Sequence, residues 1–226
     1  MDSFIDKQIR RMNRNLLITN LFIFPFVAIL SWRFVTTSNE RFLLGLVYGV
    51  VPSVLTLWNL QNAVRRFAHP ELHPSFKALK QYGNPVDIAA SIQDEFRSSD
   101  QVVRLKKCFL SSSWLVIPDV FNIDFVRLDD IVWIYRLQTK KTINGIPSDT
   151  THKAVIVKRN GNIETIESAK SGVNDAMEMI YSRVPWIHVG YSAELQNVFS
   201  SDRDKFIAIV ESRRREMTQQ AGNRTL

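Results

Sequence analysis

His69-Pro70-Glu71-Leu72-His73-Pro74 places two imidazoles four residues apart with a carboxylate between them. Two histidines at that spacing on one helix face can bind zinc, and a glutamate directly after the first then serves as general base. Here Pro70 takes that position, Glu71 comes one residue later, and Pro70 and Pro74 oppose a regular helix. The segment reads as a connector, and no metal is expected. Asp129-Asp130 could be paired acids, but successive strand residues point to opposite faces. They read as a turn or strand start. Ser111, Ser112 and Ser113 have no recognisable base, and His152 and His188 stand singly in strand-like surroundings. Cys108 is the only cysteine, which excludes an intrachain disulfide and a zinc site of several cysteines. It reads as a small buried apolar residue. No phosphate-binding loop, no G-x-G-x-x-G and no G-x-S-x-G occurs. No catalytic, cofactor-binding or metal residue is therefore assigned, and an enzyme is not expected.

The elements that must position these residues begin with two apolar runs. The first spans Leu16 to about Trp32. The second spans Phe42 to about Val64 and has no charged residue. Runs of ~20 apolar residues are long enough to cross a bilayer. Together they predict a transmembrane helical hairpin over 16–64. Gly45 and Gly49 form a small-xxx-small pair suited to helix packing, within the hairpin or in a homo-oligomer through the second span. The flanks carry Lys7, Arg10, Arg11, Arg14, Arg65, Arg66, Lys77 and Lys80, against Arg33 and Arg41 in the intervening loop. That asymmetry predicts a multi-pass protein of the inner (plasma) membrane with both termini cytoplasmic. Phe4, Ile5, Ile9 and Met12 share one face of a short interfacial helix, or else residues 1–15 form a frayed basic tail.

The net charge of +7 is uneven. Residues 1–80 carry ten Lys/Arg against four Asp/Glu, and residues 81–226 nineteen against eighteen. The basic excess belongs to the apolar segments, and the near-neutral remainder argues against nucleic acid as a partner.

A connector over 65–84 leads into a domain over 85–217. Asn84 caps a helix opened by Pro85, with Ile88, Ile92 and Phe96 on its core face. Short strands follow from residue 101. Ile131–Leu137 is apolar on both faces and reads as a central strand, with Trp133 in the core. Gln138–Thr151 reads as a polar loop holding Lys140 and Lys141. Asn160-Gly161 between alternating runs is a hairpin signal. A helix from about Ser171, stopped by Pro185, buries Val173, Met177, Ile180 and Val184. Trp186–Val189 is a last strand. Helices follow over Ala193–Phe199 and from Ser201, with Ser201 as its cap, and residues 218–226 read as a disordered tail. Short connections predict an antiparallel meander in an α+β domain.

Several segments in this order resemble one known family: His73-Pro74 through Gln81-Tyr82-Gly83, Asp94-Glu95-Phe96, Ser113-Trp114-Leu115-Val116, Leu128-Asp129-Asp130-Ile131-Val132-Trp133-Ile134-Tyr135, and Pro185-Trp186 through Gly190-Tyr191. The chain is similar to small uncharacterised bacterial membrane proteins with two spans followed by a pleckstrin-homology-type (PH-like) domain. The resemblance implies that fold and no activity.

Two functions of different class follow as expectations. The first is a membrane-anchored, non-catalytic binding or scaffolding protein with a protein partner. The second is a domain that binds lipid headgroups through Lys140 and Lys141, with Lys106 and Lys107 as further candidates. A small subunit of a larger membrane complex is a third.

Overall fold

The computed structural model describes residues 4–36, 51–98, 102–105, 108–119, 122–143 and 146–223. The chain divides into two compact units, residues 1–94 with 119–123, and residues 95–118 with 124–226.

In the first unit, α1 (Phe4–Thr36) packs against α2 (Val51–Ala68). Helix α1 begins at Phe4, so the basic N-terminal segment is helical. Ile5, Ile9 and Met12 recur at helical spacing on its buried face, and Ala63 of α2 is also buried. Further along, Leu21, Phe22, Phe26 and Trp32 of α1 and Val54 and Trp58 of α2 are exposed.

The helices overturn the predicted transmembrane hairpin. No helix among the described residues is long and apolar enough to cross a membrane. The α1 helix carries Lys7, Arg10, Arg11 and Arg14, with Asn13, Asn15, Thr19 and Asn20 dispersed along it. The α2 helix contains Ser53, Thr56, Asn59, Gln61 and Asn62 before Arg65 and Arg66. These polar groups interrupt the apolar runs. Asn20 and Thr56 turn their side chains onto their own helices, donating to Leu16 O (2.8 Å) and Pro52 O (2.7 Å). The multi-pass inner-membrane placement, with both termini cytoplasmic, loses its basis with the hairpin. Gly45 and Gly49 lie outside the described residues.

Pro70–Leu72 forms a 3₁₀ turn, and α3 (Pro74–Ala78) follows with proline at its first position. A second 3₁₀ turn, Leu79–Tyr82, leads to α4 (Pro85–Ser98). As predicted, Asn84 caps α4, its Oδ1 accepting from Val86 N–H at 3.2 Å.

The second unit contains two four-stranded sheets. The first has the order β1 (Val103–Leu105), β2 (Cys108–Leu110), β3 (Trp114–Pro118), β4 (Ile123–Arg127). The second comprises β5 (Ile131–Ile143), β6 (Ile146–Lys158), β7 (Ile163–Ser168) and β8 (His188–Val189), in the order β7-β6-β5-β8. Three helices complete the unit: α5 (Lys170–Arg183), α6 (Ala193–Ser201) and α7 (Arg203–Asn223).

The α+β class therefore stands, with two sheets. The meander is not wholly antiparallel, because β8 pairs in parallel with β5 after the α5 crossover. A parallel neighbour needs such a long connection. Three local expectations also change. Lys170 opens α5 with no side-chain cap, so Ser171 does not cap it. Asp202 rather than Ser201 caps α7, accepting from Lys205 N–H at 3.0 Å. Helix α7 continues to Asn223, through most of the expected disordered tail.

Two cores meet at the β5·β6 ladder. Ile134, Ala154, Ile156 and Ile166 face Val173, Ala176 and Ile180 of α5, together with Leu110, Leu115 and Val126 of the first sheet. On the other face Trp133, Val155 and Val157 pack with Phe199 of α6 and Phe206 and Val210 of α7. The two-sided apolarity of β5 is thus matched by two layers of partners. The Asn160-Gly161 hairpin joins β6 to β7, with Gly161 at φ 87°.

Trp133 is fully buried, and its Nε1 donates to Gly190 O at 2.7 Å. Trp133→Ala should cost roughly 3–5 kcal/mol of folding stability. Guanidinium denaturation of the purified chain checks this; an unchanged midpoint would show that the ring is not part of the core.

Candidate functional site

The arrangement that stands out is the outer edge of β5. The β5·β6 ladder runs from Ile131↔Lys158 to Ile143↔Ile146. Its neighbours are far shorter. Strand β7 pairs with β6 only between His152 and Val157, and β8 pairs with β5 only at Trp133 and Ile134. Beyond Ile134, no other described strand pairs with the outer edge of β5. The predicted polar loop 138–151 is therefore largely two paired strands extending past the sheet.

Gly190 ends β8. It adopts φ 92°, which glycine alone reaches without strain, and its N–H donates to Ile134 O at 2.9 Å. That bond sets the phase of the edge. Amide groups of alternate strand residues point the same way, and the ladder has no irregularity between Trp133 and Lys141. The N–H and C=O of Arg136, Gln138 and Lys140 therefore face outward, away from β6.

Side chains sort by the same alternation. Tyr135 and Leu137 lie on the Trp133 face. Tyr191, just past Gly190, stacks on Trp133 with centroids 6.1 Å apart and 12° between planes, and lies 5.3 Å from Tyr135. Tyr191 is 59% and Leu137 46% exposed, so an apolar shelf borders the open edge. Burial raises the Tyr135 hydroxyl pKa above its usual value, and neighbouring Tyr191 adds to the effect. Arg136, Gln138 and Lys140 share the opposite face and are exposed. Arg136 Nη1 donates to Asn174 Oδ1 at 3.3 Å.

The other candidate residues occupy different places. Lys140 and Lys141 stand on β5, with Lys141 in register with Asp149. Lys106 and Lys107 lie outside the described residues. Cys108 is buried, and burial pushes its thiol up to about 12. A protonated thiol is a poor nucleophile. Asp129 and Asp130 belong to the 3₁₀ turn Leu128–Asp130. Asp129 Oδ2 accepts from Arg127 (3.3 Å) and Oδ1 from Arg214 of α7 (2.8 Å). His188 Nδ1 lies 3.2 Å from Arg213 Nη1, and burial followed by that guanidinium lowers its pKa.

Ser111, Ser112 and Ser113 do meet a carboxylate, which sequence spacing concealed. One oxygen of Glu95 accepts from Ser111 Oγ (2.8 Å), Ser112 Oγ (3.0 Å) and Ser113 N–H (3.1 Å). Ser111 Oγ also accepts from Trp114 N–H at 3.0 Å. The cluster closes the turn between β2 and β3. Glu95→Ala should cost about 1–3 kcal/mol by leaving these donors short of an acceptor; thermal unfolding measures it, and an unchanged melting temperature would contradict the role.

The two histidines of the connector do not converge on one ligand. His69 Nδ1 lies 3.0 Å from Glu71 Oε1 at the surface. His73 is buried and caps α3, its Nδ1 accepting from Ser75 N–H at 3.2 Å. Ser75 Oγ in turn donates to Asn122 Oδ1 (2.6 Å) and accepts from Ile123 N–H (2.8 Å). Among the described residues no group of three or more His, Cys, Asp or Glu could hold a metal ion.

Burial first, then Arg66, lowers His73 from 6.5 to about 4. Between these values the unfolded chain binds the proton that the folded chain refuses. Stability is therefore full above about 6.5 and falls as pH drops toward about 4. The loss amounts to at most about 3 kcal/mol. His73→Asn, which keeps a capping acceptor, should flatten the pH dependence of stability in that window. An identical profile in urea melts at stepped pH would exclude His73 as its source.

No curated protein and no solved structure matches the chain. The PH-like resemblance therefore has no support from a known structure, and the bacterial and membrane attributes of the resembled family have none either. Residues 76–199, more than half of the chain, match the model described as Domain of unknown function (DUF6709), and the chain belongs to that family.

Proposed function

We propose that this chain is a non-catalytic binding module that presents the open edge of β5 to a protein partner. The observation that carries the reading is the mismatch in strand length. Strand β5 continues past its two-residue pairing with β8, leaving outward-facing backbone donors and acceptors beside an exposed aromatic shelf. Open edges of this kind add strands from other chains.

The polar clusters elsewhere support the same reading, because each has a structural task. Glu95 closes a turn, His73 caps a helix, and Asp129 and Glu211 fasten α7 through Arg214 and Arg159. The hydrogen bond from Arg159 holds the Glu211 carboxyl below its usual pKa.

A photo-crosslinking residue at Lys140 of the full chain, in its native cells, should give one discrete protein adduct. The same residue at Glu178, exposed on α5, should not. Equal adducts from both positions, or none from Lys140, would overturn the reading.

A further inference from the structure

The chemistry along the β5 edge specifies what kind of strand it can accept. This inference rests on the binding-module reading above and goes further by naming the class of partner. We infer that the edge from Tyr135 to Lys140 takes an extended peptide segment by strand addition. That segment carries two acidic residues four positions apart, opposite Arg136 and Lys140, and an apolar residue on each side of the acid that faces Arg136.

Backbone groups of Arg136, Gln138 and Lys140 face outward, since Ile134 O, in phase with them, already bonds Gly190 N–H on that side. An incoming strand therefore finds three consecutive outward residues, each with one donor and one acceptor. Residues directly opposite one another in adjacent strands share a face of the sheet. The residues opposite Arg136 and Lys140 thus meet two cations four positions apart and are best acidic. Those opposite Tyr135 and Leu137 meet the shelf that Tyr191 extends, and are best apolar.

Charge also disfavours a second copy as the occupant. An antiparallel pairing of two β5 edges centred on Gln138 aligns all three outward residues of each copy. It also sets Arg136 against Lys140 of the other copy at both ends. Like charges directly opposite destabilise a ladder. An acidic strand in the same place turns both repulsions into attractions.

The test uses the purified full chain and a synthetic peptide, fluorescein-Gly-Gly-Val-Glu-Val-Thr-Val-Glu-Val-amide, whose binding segment reads the same in both strand directions, followed by fluorescence anisotropy. A control peptide has lysine in place of both glutamates. The acidic peptide should bind at least tenfold more tightly than the lysine peptide. Gln138→Pro removes one outward N–H without touching the β6 ladder, a place where an edge strand accepts proline. It should weaken binding at least tenfold with the melting transition retained. Should that variant melt early, the pair Arg136→Glu with Lys140→Glu decides, and the preference should reverse toward the lysine peptide.

Equal affinity for both peptides, or no binding of the acidic one, overturns the inference. So does a preference unchanged by the charge reversal. Self-association of the chain that the peptide cannot compete away would assign the edge to a second copy. Tighter binding to phosphatidylglycerol vesicles than to the peptide, lost with the same charge reversal, would assign it to a lipid surface. Either result overturns the peptide reading. A discrete Lys140 adduct in cells without peptide binding would remove this inference while leaving the binding-module reading intact.

Discussion

Trp133 holds the second unit's sheet in the form that creates its open edge. The indole is buried against Phe199 and Phe206, and its Nε1 bonds Gly190 O at 2.7 Å. Gly190 N–H bonds Ile134 O, so one glycine is held through both of its peptide groups by adjacent residues of β5. A buried indole N–H needs such a partner, because leaving it unpaired costs on the order of 1–3 kcal/mol. The pair of bonds places β8 against β5 and stops it after two residues. The positive φ of Gly190 then turns the chain, and Tyr191 stacks back over Trp133. The same contacts that complete the core thus leave β5 with no described strand on that side from Tyr135 onward.

Exposed edges are hazardous, since they recruit other strands indiscriminately. Here the exposed β5 residues include two cations, Arg136 and Lys140, on one face, and these oppose pairing between identical copies. The apolar shelf lies on the other face, beside the edge rather than along all of it. On the proposed reading, such a surface would use main-chain bonds for affinity and its side-chain charges for discrimination.

The far side of the Trp133 core is closed by α7, and charge fastens this helix as much as apolar contact does. Phe206 and Val210 enter the core, while Arg214 bonds Asp129 and lies over the Trp186 ring, 5.0 Å from its centroid. Arg203 donates to Asn160 O at 3.0 Å. Its guanidinium also fills the space beside Gly161, lying 2.8 Å from where a Cβ would stand. The β6–β7 turn therefore uses glycine for two reasons, its φ of 87° and the side chain packed on it. Lys158, nearly buried at the end of β6, is paired with Glu164 at 2.7 Å, as a buried cation must be.

Local signals along the chain were sufficient for those features that depend on neighbouring residues. The cap at Asn84 with Pro85 behind it, the Asn160-Gly161 hairpin, the buried stripe of α5 and the core position of Trp133 all follow from periods and turn chemistry within a few residues. Cys108 is legible as a buried residue from its type alone, a small apolar side chain. The membrane hairpin was misread because a low charge count in two runs outweighed the asparagine, glutamine, serine and threonine residues spread through the described helices. The open edge was not legible at all. It depends on β8, a two-residue strand more than fifty positions from Trp133, pairing in parallel after a helical crossover. It depends as well on β5 and β6 outlasting both neighbours. Polar residues with a free edge look like a loop when read one strand at a time, as 138–151 does. Glu95 and its three seryl partners are likewise joined only by the fold. Sequence by itself determined the periods, the turns and the two-sided apolarity of β5; tertiary structure decided which edge stays open, because strand pairing is a long-range match that no local window contains.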